Sequence, residues 1–151
     1  MKLTITRMNR PEAIEYLAWQ YPDPAFNIPE PTWRQQMRDI FADDGDDYYS
    51  VYDGDDFIGI FAFAFPDGIL QMRLALAPDD CGHGLGREFI QAGIAYAKSR
   101  FHYQDRIEAV VAADNARAIH LFKALGFGQT EPSTRETDAG IAQALLMTLE
   151  P

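Results

Sequence analysis

Hydrophobic and polar positions along the chain fall into two rhythms, one of strands and one of helices. Leu3-Thr4-Ile5-Thr6 alternates apolar with polar and predicts a first strand. Asn9-Arg10-Pro11-Glu12 combines a capping amide, an early proline and an acid three residues on, which marks a helix start. Ile14, Leu17, Ala18 and Tyr21 follow at i, i+3, i+4 and i+7, predicting one apolar helical face, and Pro22-Asp23-Pro24 ends that helix. Thr32 with Gln35 is expected to cap a second helix, whose buried stripe is Trp33, Met37, Ile40 and Phe41. Residues 48–52 read as a strand and Asp53-Gly54 as a hairpin turn. Residues 57–65 are apolar on both faces, so they predict a central strand covered on both sides. After the turn Pro66-Asp67-Gly68, a further apolar segment, 69–77, stops at Pro78.

The chemistry begins there. Asp79-Asp80 lead into Cys81-Gly82-His83-Gly84-Leu85-Gly86-Arg87, and then Ile90, Gly93, Ile94, Ala97 and Phe101 keep helical spacing. Strand, glycine-rich loop and helix start follow in order. Alternate glycines let the backbone curl until successive N–H groups share one concavity, and the orphan N–H groups of the helix point the same way. Such a corner binds phosphate or pyrophosphate. A dinucleotide fingerprint fails on spacing, because Arg87 stands where the third glycine belongs when counting from Gly82. A P-loop fails as well, since no Gly-Lys-Ser/Thr follows. Downstream, residues 106–112 read as a short strand with Ile107 and two valines. The acid run Asp43-Asp44-Gly45-Asp46-Asp47 lacks the distal glutamate of a calcium loop and reads as a solvated loop. No metal site is expected.

The run Cys81-Gly82-His83-Gly84-Leu85-Gly86 resembles motif A of the GNAT N-acyltransferase superfamily, Gln/Arg-x-x-Gly-x-Gly/Ala; both motif glycines match and the first position departs. Asn115-Ala116-Arg117-Ala118-Ile119-His120-Leu121-Phe122-Lys123-Ala124-Leu125-Gly126-Phe127 is similar to motif B, Asn-x-x-Ala-x-x-Leu-Tyr-x-x-x-Gly-Phe, with phenylalanine in place of the tyrosine. The resemblance implies an α/β (α+β) fold over a single domain, residues 1–151. It implies a mixed, mostly antiparallel sheet with helices on both faces, splayed between the strand before the glycine loop and the strand at 106–112. Residues 141–149 favour helix by propensity, yet the resemblance implies a strand there.

Acetyl-CoA is then the implied co-substrate and an amine the implied acceptor. On that pattern the backbone of Leu74, Ala75 and Leu76 pairs with the pantetheine arm as an added strand. Cys81, Gly82, His83, Gly84, Leu85, Gly86 and Arg87 hold the pyrophosphate, mainly through N–H groups. His83 and Arg87 are either phosphate contacts or solvated side chains. Asn115 caps a helix, binds the pantetheine arm, or does both, with Ala118 and Phe122 beside it. The linker 21–31 holds Tyr21 and Phe26, which either close the core edge or shape the acceptor pocket.

Departures from the pattern bear on catalysis. Phe122 replaces a tyrosine that would protonate the leaving thiolate, and a phenyl ring donates no proton. Gln71 stands on a strand where similar proteins place a carboxylate; an amide can orient an amine but cannot take its proton. Glu108, on the neighbouring strand, is the nearest replacement base, with a surface carboxylate as the plainer reading. Tyr96 and His120 are the fallback acids. Cys81 stands at the loop's positive end, which is expected to lower its thiol pKa.

Composition sets outer limits. The chain has 151 residues, 47% of them hydrophobic and 13% aromatic, which fits one globular domain with a real core. A net charge of -10 argues against nucleic acid and anionic membranes as partners. One cysteine, no membrane-length apolar run and no signal-peptide pattern suggest a reducing cytoplasm. The resemblance leaves room for a homodimer. Two functions remain: an acetyl-CoA-dependent N-acetyltransferase for a small or peptide amine, and a GNAT-fold module that binds or senses acyl-CoA without turnover.

Overall fold

In the computed structural model, residues 2–129, 133–137 and 140–151 are described, with side chains for 2–129 and 144–151. Strand β1 (Leu3–Arg7) runs antiparallel to β2 (Asp47–Asp53), and β2 to β3 (Asp56–Ala64) through a hairpin whose Gly54 takes φ +61°. The expected central strand is β3. Ile58 through Phe63 contain no exposed residue, and both core clusters touch this strand. Antiparallel β4 (Leu70–Leu76) follows, then β5 (Ile107–Ala112), β8 (Gly140–Leu149) and β6 (Gly128–Gln129), with β7 (Ser133–Thr137) also paired on β8. Residues 141–149 are therefore strand, as the resemblance implied. Partners on both sides supply ladder hydrogen bonds that outweigh the local helical propensity.

Helix α1 (Arg10–Leu17) and α2 (Trp33–Ile40) lie on one face of the sheet; α3 (Gly86–Arg100) and α4 (Ala116–Ala124) lie on the other. Close approach fixes α3. Phe61 and Phe89 stack with centroids 4.5 Å apart, and a Cβ on Gly93 would come within 2.5 Å of the Phe61 ring. Only a glycine lets the helix sit that low on β3.

Two helical faces differ from expectation. The capping box at Asn9 and Glu12 forms, but of the expected face only Leu17 is buried: Ile14 is 57% exposed, Ala18 is exposed and Tyr21 lies beyond the helix end, while Ala13 is buried beside Leu17. The cause is Glu12. Its carboxylate is buried and accepts hydrogen bonds from the Asn9 N–H at 2.9 Å, the Ser50 hydroxyl at 2.8 Å and the Tyr52 hydroxyl. Turning Glu12 to the sheet rotates Ile14, about 200° away on the helical wheel, toward water. In α2, Ile40 is buried and Trp33 and Met37 are half-buried, but Phe41 is 42% exposed. Thr32 makes no side-chain cap; its hydroxyl donates back to the Pro29 carbonyl at 2.7 Å.

Glu12 thus ties α1 to β2. The Glu12 hydrogen bond, followed by burial, pushes the Tyr52 phenol up to about 12, so folding favours its protonated form. That contribution is complete below the ordinary tyrosine range and fades as pH climbs through about 12. Glu12→Ala removes half of the capping box and strands two hydroxyls. It is expected to lower stability by about 2–4 kcal/mol in chemical denaturation. A loss below about 0.5 kcal/mol would show that water serves these groups equally well.

Candidate active site

Strands β4 and β5 run parallel for only three pairs, Leu70–Ile107, Gln71–Glu108 and Met72–Ala109. Beyond Met72 they part. Along the freed stretch, β4 remains bonded to β3 on its other side. The Ala75 carbonyl points toward β3, where a Cβ on Gly59 would lie 2.7 Å away. Strand alternation then aims the N–H and C=O groups of Leu74 and Leu76 at the gap.

The gap opens into a cleft of about 440 Å³ lined from both sheet faces. Arg73, Leu74, Ala75 and Leu76 form one wall, Val110, Val111 and Ala112 the other. Cys81 and Gly86 stand at the loop end, and Asn115, Arg117, Ala118, Leu121 and Phe122 come from the α4 region. Tyr21 and Phe26, from the linker between α1 and α2, close the remaining side. The linker aromatics therefore belong to the cleft.

The loop has the backbone that its glycines permit. Gly82 takes φ +79° and Gly84 φ +75°, conformations that side-chain-bearing residues rarely adopt. A Cβ on Gly84 would meet no atom within 4 Å, so the concavity stands open above it. At Gly82 the nearest atom to such a Cβ would be the Arg117 guanidinium, at 3.5 Å. Arg117 is a cation beside the loop that neither motif singles out. A signal for it exists in the chain: it lies two residues after Asn115, in the first turn of a helix facing the loop. His83 and Arg87 do not line the cleft; both are exposed.

Asn115 caps α4, its Oδ1 accepting from the Ala118 N–H at 3.2 Å, which leaves its NH2 as a donor beside the cleft. Phe122 is buried, packs edge-on to Phe127 at 5.0 Å and also lines the cleft, so it is core and wall at once. Gln71 and Glu108 stand side by side in register, where the strands still pair, and neither lines the cleft. Tyr96 packs edge-on to Tyr49 at 5.1 Å, and His120 is exposed; neither reaches the cleft.

Tyr21 does reach it. Its hydroxyl donates to the Leu76 carbonyl at 2.6 Å. Burial, then the nearby Cys81 and Tyr16, holds this phenol above its ordinary range, so it stays protonated. The Cys81 thiol behaves opposite to expectation. Its pKa is raised, because burial outweighs the Arg117 charge and Asp80 adds to the rise. The thiol points at the carbonyls of Leu76 and Ala77, at 3.8 and 3.5 Å. Cys81 should therefore alkylate with iodoacetamide more slowly at neutral pH than a free cysteine, gaining rate only as pH rises. Alkylation at or above the free-cysteine rate would contradict that environment.

The matched family model, acetyltransferase (GNAT) family, covers residues 11–127, and the chain belongs to this family. Among curated proteins, a mycothiol acetyltransferase of Tsukamurella paurometabola is 40% identical over 58 residues. Those residues are 38% of this chain and 19% of that protein, so the chain matches only about a fifth of its length. Among solved structures, a Vibrio cholerae spermidine N-acetyltransferase carrying a segment swapped with hSSAT aligns at TM-score 0.77 and 16% identity, over 99% of this chain and 96% of that one. The V. cholerae enzyme in complex with CoA and spermine aligns at TM-score 0.69 and 17% identity, over 98% and 95%. A dodecameric form aligns at 0.70 and 18%, over 98% and 93%. At such identities the likeness establishes the fold. Among the described residues, no helix is long and apolar enough to cross a membrane, and no cluster of acids, histidines or cysteines could hold a metal ion.

Proposed function

We propose that this chain transfers the acetyl group of acetyl-CoA to a primary amine of a small molecule or peptide, by direct attack in a ternary complex. One observation carries the reading: β4 parts from β5 into a cleft whose mouth is the glycine loop and the start of α3. The open concavity over Gly84, the positive φ values and Arg117 fit a pyrophosphate; the freed edge of β4 fits an extended pantetheine arm. Leu74 offers its backbone to that arm, whereas the Leu76 carbonyl is already engaged by Tyr21. Asn115 adds its amide donor where the strands separate. Acetyl-CoA supplies an activated thioester; the chain positions it and polarises its carbonyl through strand N–H groups.

Among the described residues lining the cleft there is no carboxylate and no imidazole. The amine must therefore arrive neutral or lose its proton to water. Tyr21 is the phenol within reach; its raised pKa keeps it protonated, so that once turned from the Leu76 carbonyl it would donate a hydrogen bond to a sulfur that leaves as thiolate and takes its proton from water. The V. cholerae relative crystallised with CoA and spermine makes an amine acceptor a reasonable class for this chain. The test is release of free thiol from acetyl-CoA across a panel of amines, alongside calorimetry for acetyl-CoA. Binding with amine-dependent release supports transfer; absence of binding refutes the site.

A second reading, acyl-CoA binding without turnover, draws on the same missing base and on Phe122. Tight binding with no thiol release for any amine would select it. Under either reading, Asn115→Asp keeps the α4 cap but loses the amide donor. It is expected to weaken acetyl-CoA binding about 10-fold while the melting temperature barely moves. Lower stability with unchanged affinity would reduce Asn115 to a cap.

A further inference from the structure

Helix α2 separates two cavities of nearly equal size, about 400 Å³ and 390 Å³. The first is lined by Asp39, Asp44 and Asp46 together with Arg73. The second is lined by Arg10, Arg34, Met37, Arg38 and Phe41. The division follows the helical wheel. Arg34, Met37, Arg38 and Phe41 fall at i, i+3, i+4 and i+7 on one edge of α2, while Asp39 falls on the other. Helix α1 supplies Arg10, and one turn later Ile14, 57% exposed; Phe41 is 42% exposed at the end of α2.

Three guanidinium groups converging on one groove are out of keeping with a chain that carries 23 acidic and 13 basic side chains. None of the three joins an ion pair among the described residues, where the pairs are Arg7–Asp47, Arg73–Asp46 and Arg106–Glu150. Among the described residues, Arg38 donates only to the neutral Gln35. The same Gln35 donates to Asp39, and among the described residues Asp39 and Asp44 join no ion pair, whereas Asp46 is engaged by Arg73. Unmet positive charge, unmet negative charge and exposed apolar side chains thus flank one helix. Arginine around an apolar centre is a composition enriched at protein interfaces.

We propose that the basic groove between α1 and α2 receives the acidic edge of α2, Asp39 and Asp44, from a second copy of this chain. Within one molecule the two edges are linked only through the neutral Gln35, so neither charge is met there, yet each copy carries what the next lacks. Setting like edges together would oppose arginine to arginine. Charge complementarity therefore sets basic edge against acidic edge, reciprocally across a two-fold axis or head to tail. Ile14 and Phe41 give that contact an apolar centre. The linker that brings Tyr21 and Phe26 to the cleft joins these same two helices, so the contact stands behind the acceptor end of the site.

The test uses the full-length chain in sedimentation velocity at about 0.05 M and about 0.5 M salt, where screening changes the reach of surface charge several-fold. The wild-type chain should associate at low salt and dissociate toward monomer at high salt. Arg34→Glu with Arg38→Glu, and separately Asp39→Lys with Asp44→Lys, should each be monomeric while keeping their circular dichroism. Mixed together, the two variants should associate again, because each then offers the edge that the other can accept. Should a double variant fail to fold, Arg38→Gln alone is expected to weaken association measurably. A wild-type monomer at both salts would overturn the proposal, as would association indifferent to both reversals or a mixture that stays monomeric. Saturable binding of inorganic phosphate to a monomeric wild type would assign the groove to a small anion instead, and would overturn it too.

Discussion

Gly84→Val is expected to weaken acetyl-CoA binding by about 100-fold or more, the largest loss of affinity expected from any single substitution in the loop. Two penalties act together. Valine is poorly accommodated at φ +75°, so the loop must shift to relieve the strain. Its side chain also enters space that the protein leaves open, which is where a diphosphate would sit. Losing two charge-assisted hydrogen bonds from loop N–H groups costs about 3 kcal/mol or more, hence the factor of about 100. Stability should fall little, because the loop is exposed and the new Cβ strikes nothing. Calorimetry on the folded variant decides: unchanged affinity would remove the pyrophosphate from this loop. Gly86→Val is a poorer probe, since its Cβ would lie 2.6 Å from Leu121 and disturb packing as well as binding.

Local signals in the sequence survived folding where their partners are close in the chain. The Asn9–Glu12 box, the Gly54 hairpin and the positive-φ glycines each rest on contacts within a few residues, so each was legible. The buried faces of α1 and α2 were less so. An apolar stripe predicts which side of a helix turns inward only if no stronger demand competes. Glu12 makes such a demand through Ser50 and Tyr52, which lie 38 and 40 residues away. The same distance problem left the role of Tyr21 open, since its hydroxyl finds Leu76 across 55 residues, and hid Arg117, whose guanidinium lies beside Gly82. Cys81 illustrates a contest of magnitudes. Its place in the loop suggested a lowered pKa, but partial desolvation of this exposed residue's thiol, with Asp80 adding to it, prevails over the nearby cation. The final strand was accessible only through the resemblance, because its own residues favour helix.

The pH dependence of turnover should rise steadily from neutrality to about pH 10, the range over which an alkyl amine loses its proton. Two observations lead there. No carboxylate or imidazole lines the cleft among the described residues, so no enzyme base gives an earlier plateau. The hydrogen-bond donor of the proposed mechanism, Tyr21, has its pKa raised by burial; it therefore remains protonated to higher pH than a free phenol and adds no falling limb below that point. Phe122 contributes none either, since its ring carries no proton. Tyr21→Phe is expected to lower kcat about 100-fold while the Kd for acetyl-CoA changes less than about 3-fold, the signature of a group needed at the sulfur and not for binding. If the hydroxyl serves only to hold the Leu76 carbonyl, the pattern inverts: Kd rises and kcat at saturation is kept. Phe122→Tyr supplies an independent arm, since a second phenol on the cleft wall should restore part of the kcat lost in Tyr21→Phe. A bell-shaped profile falling below about pH 9, retained in Tyr21→Phe, would mean that another group protonates the thiolate.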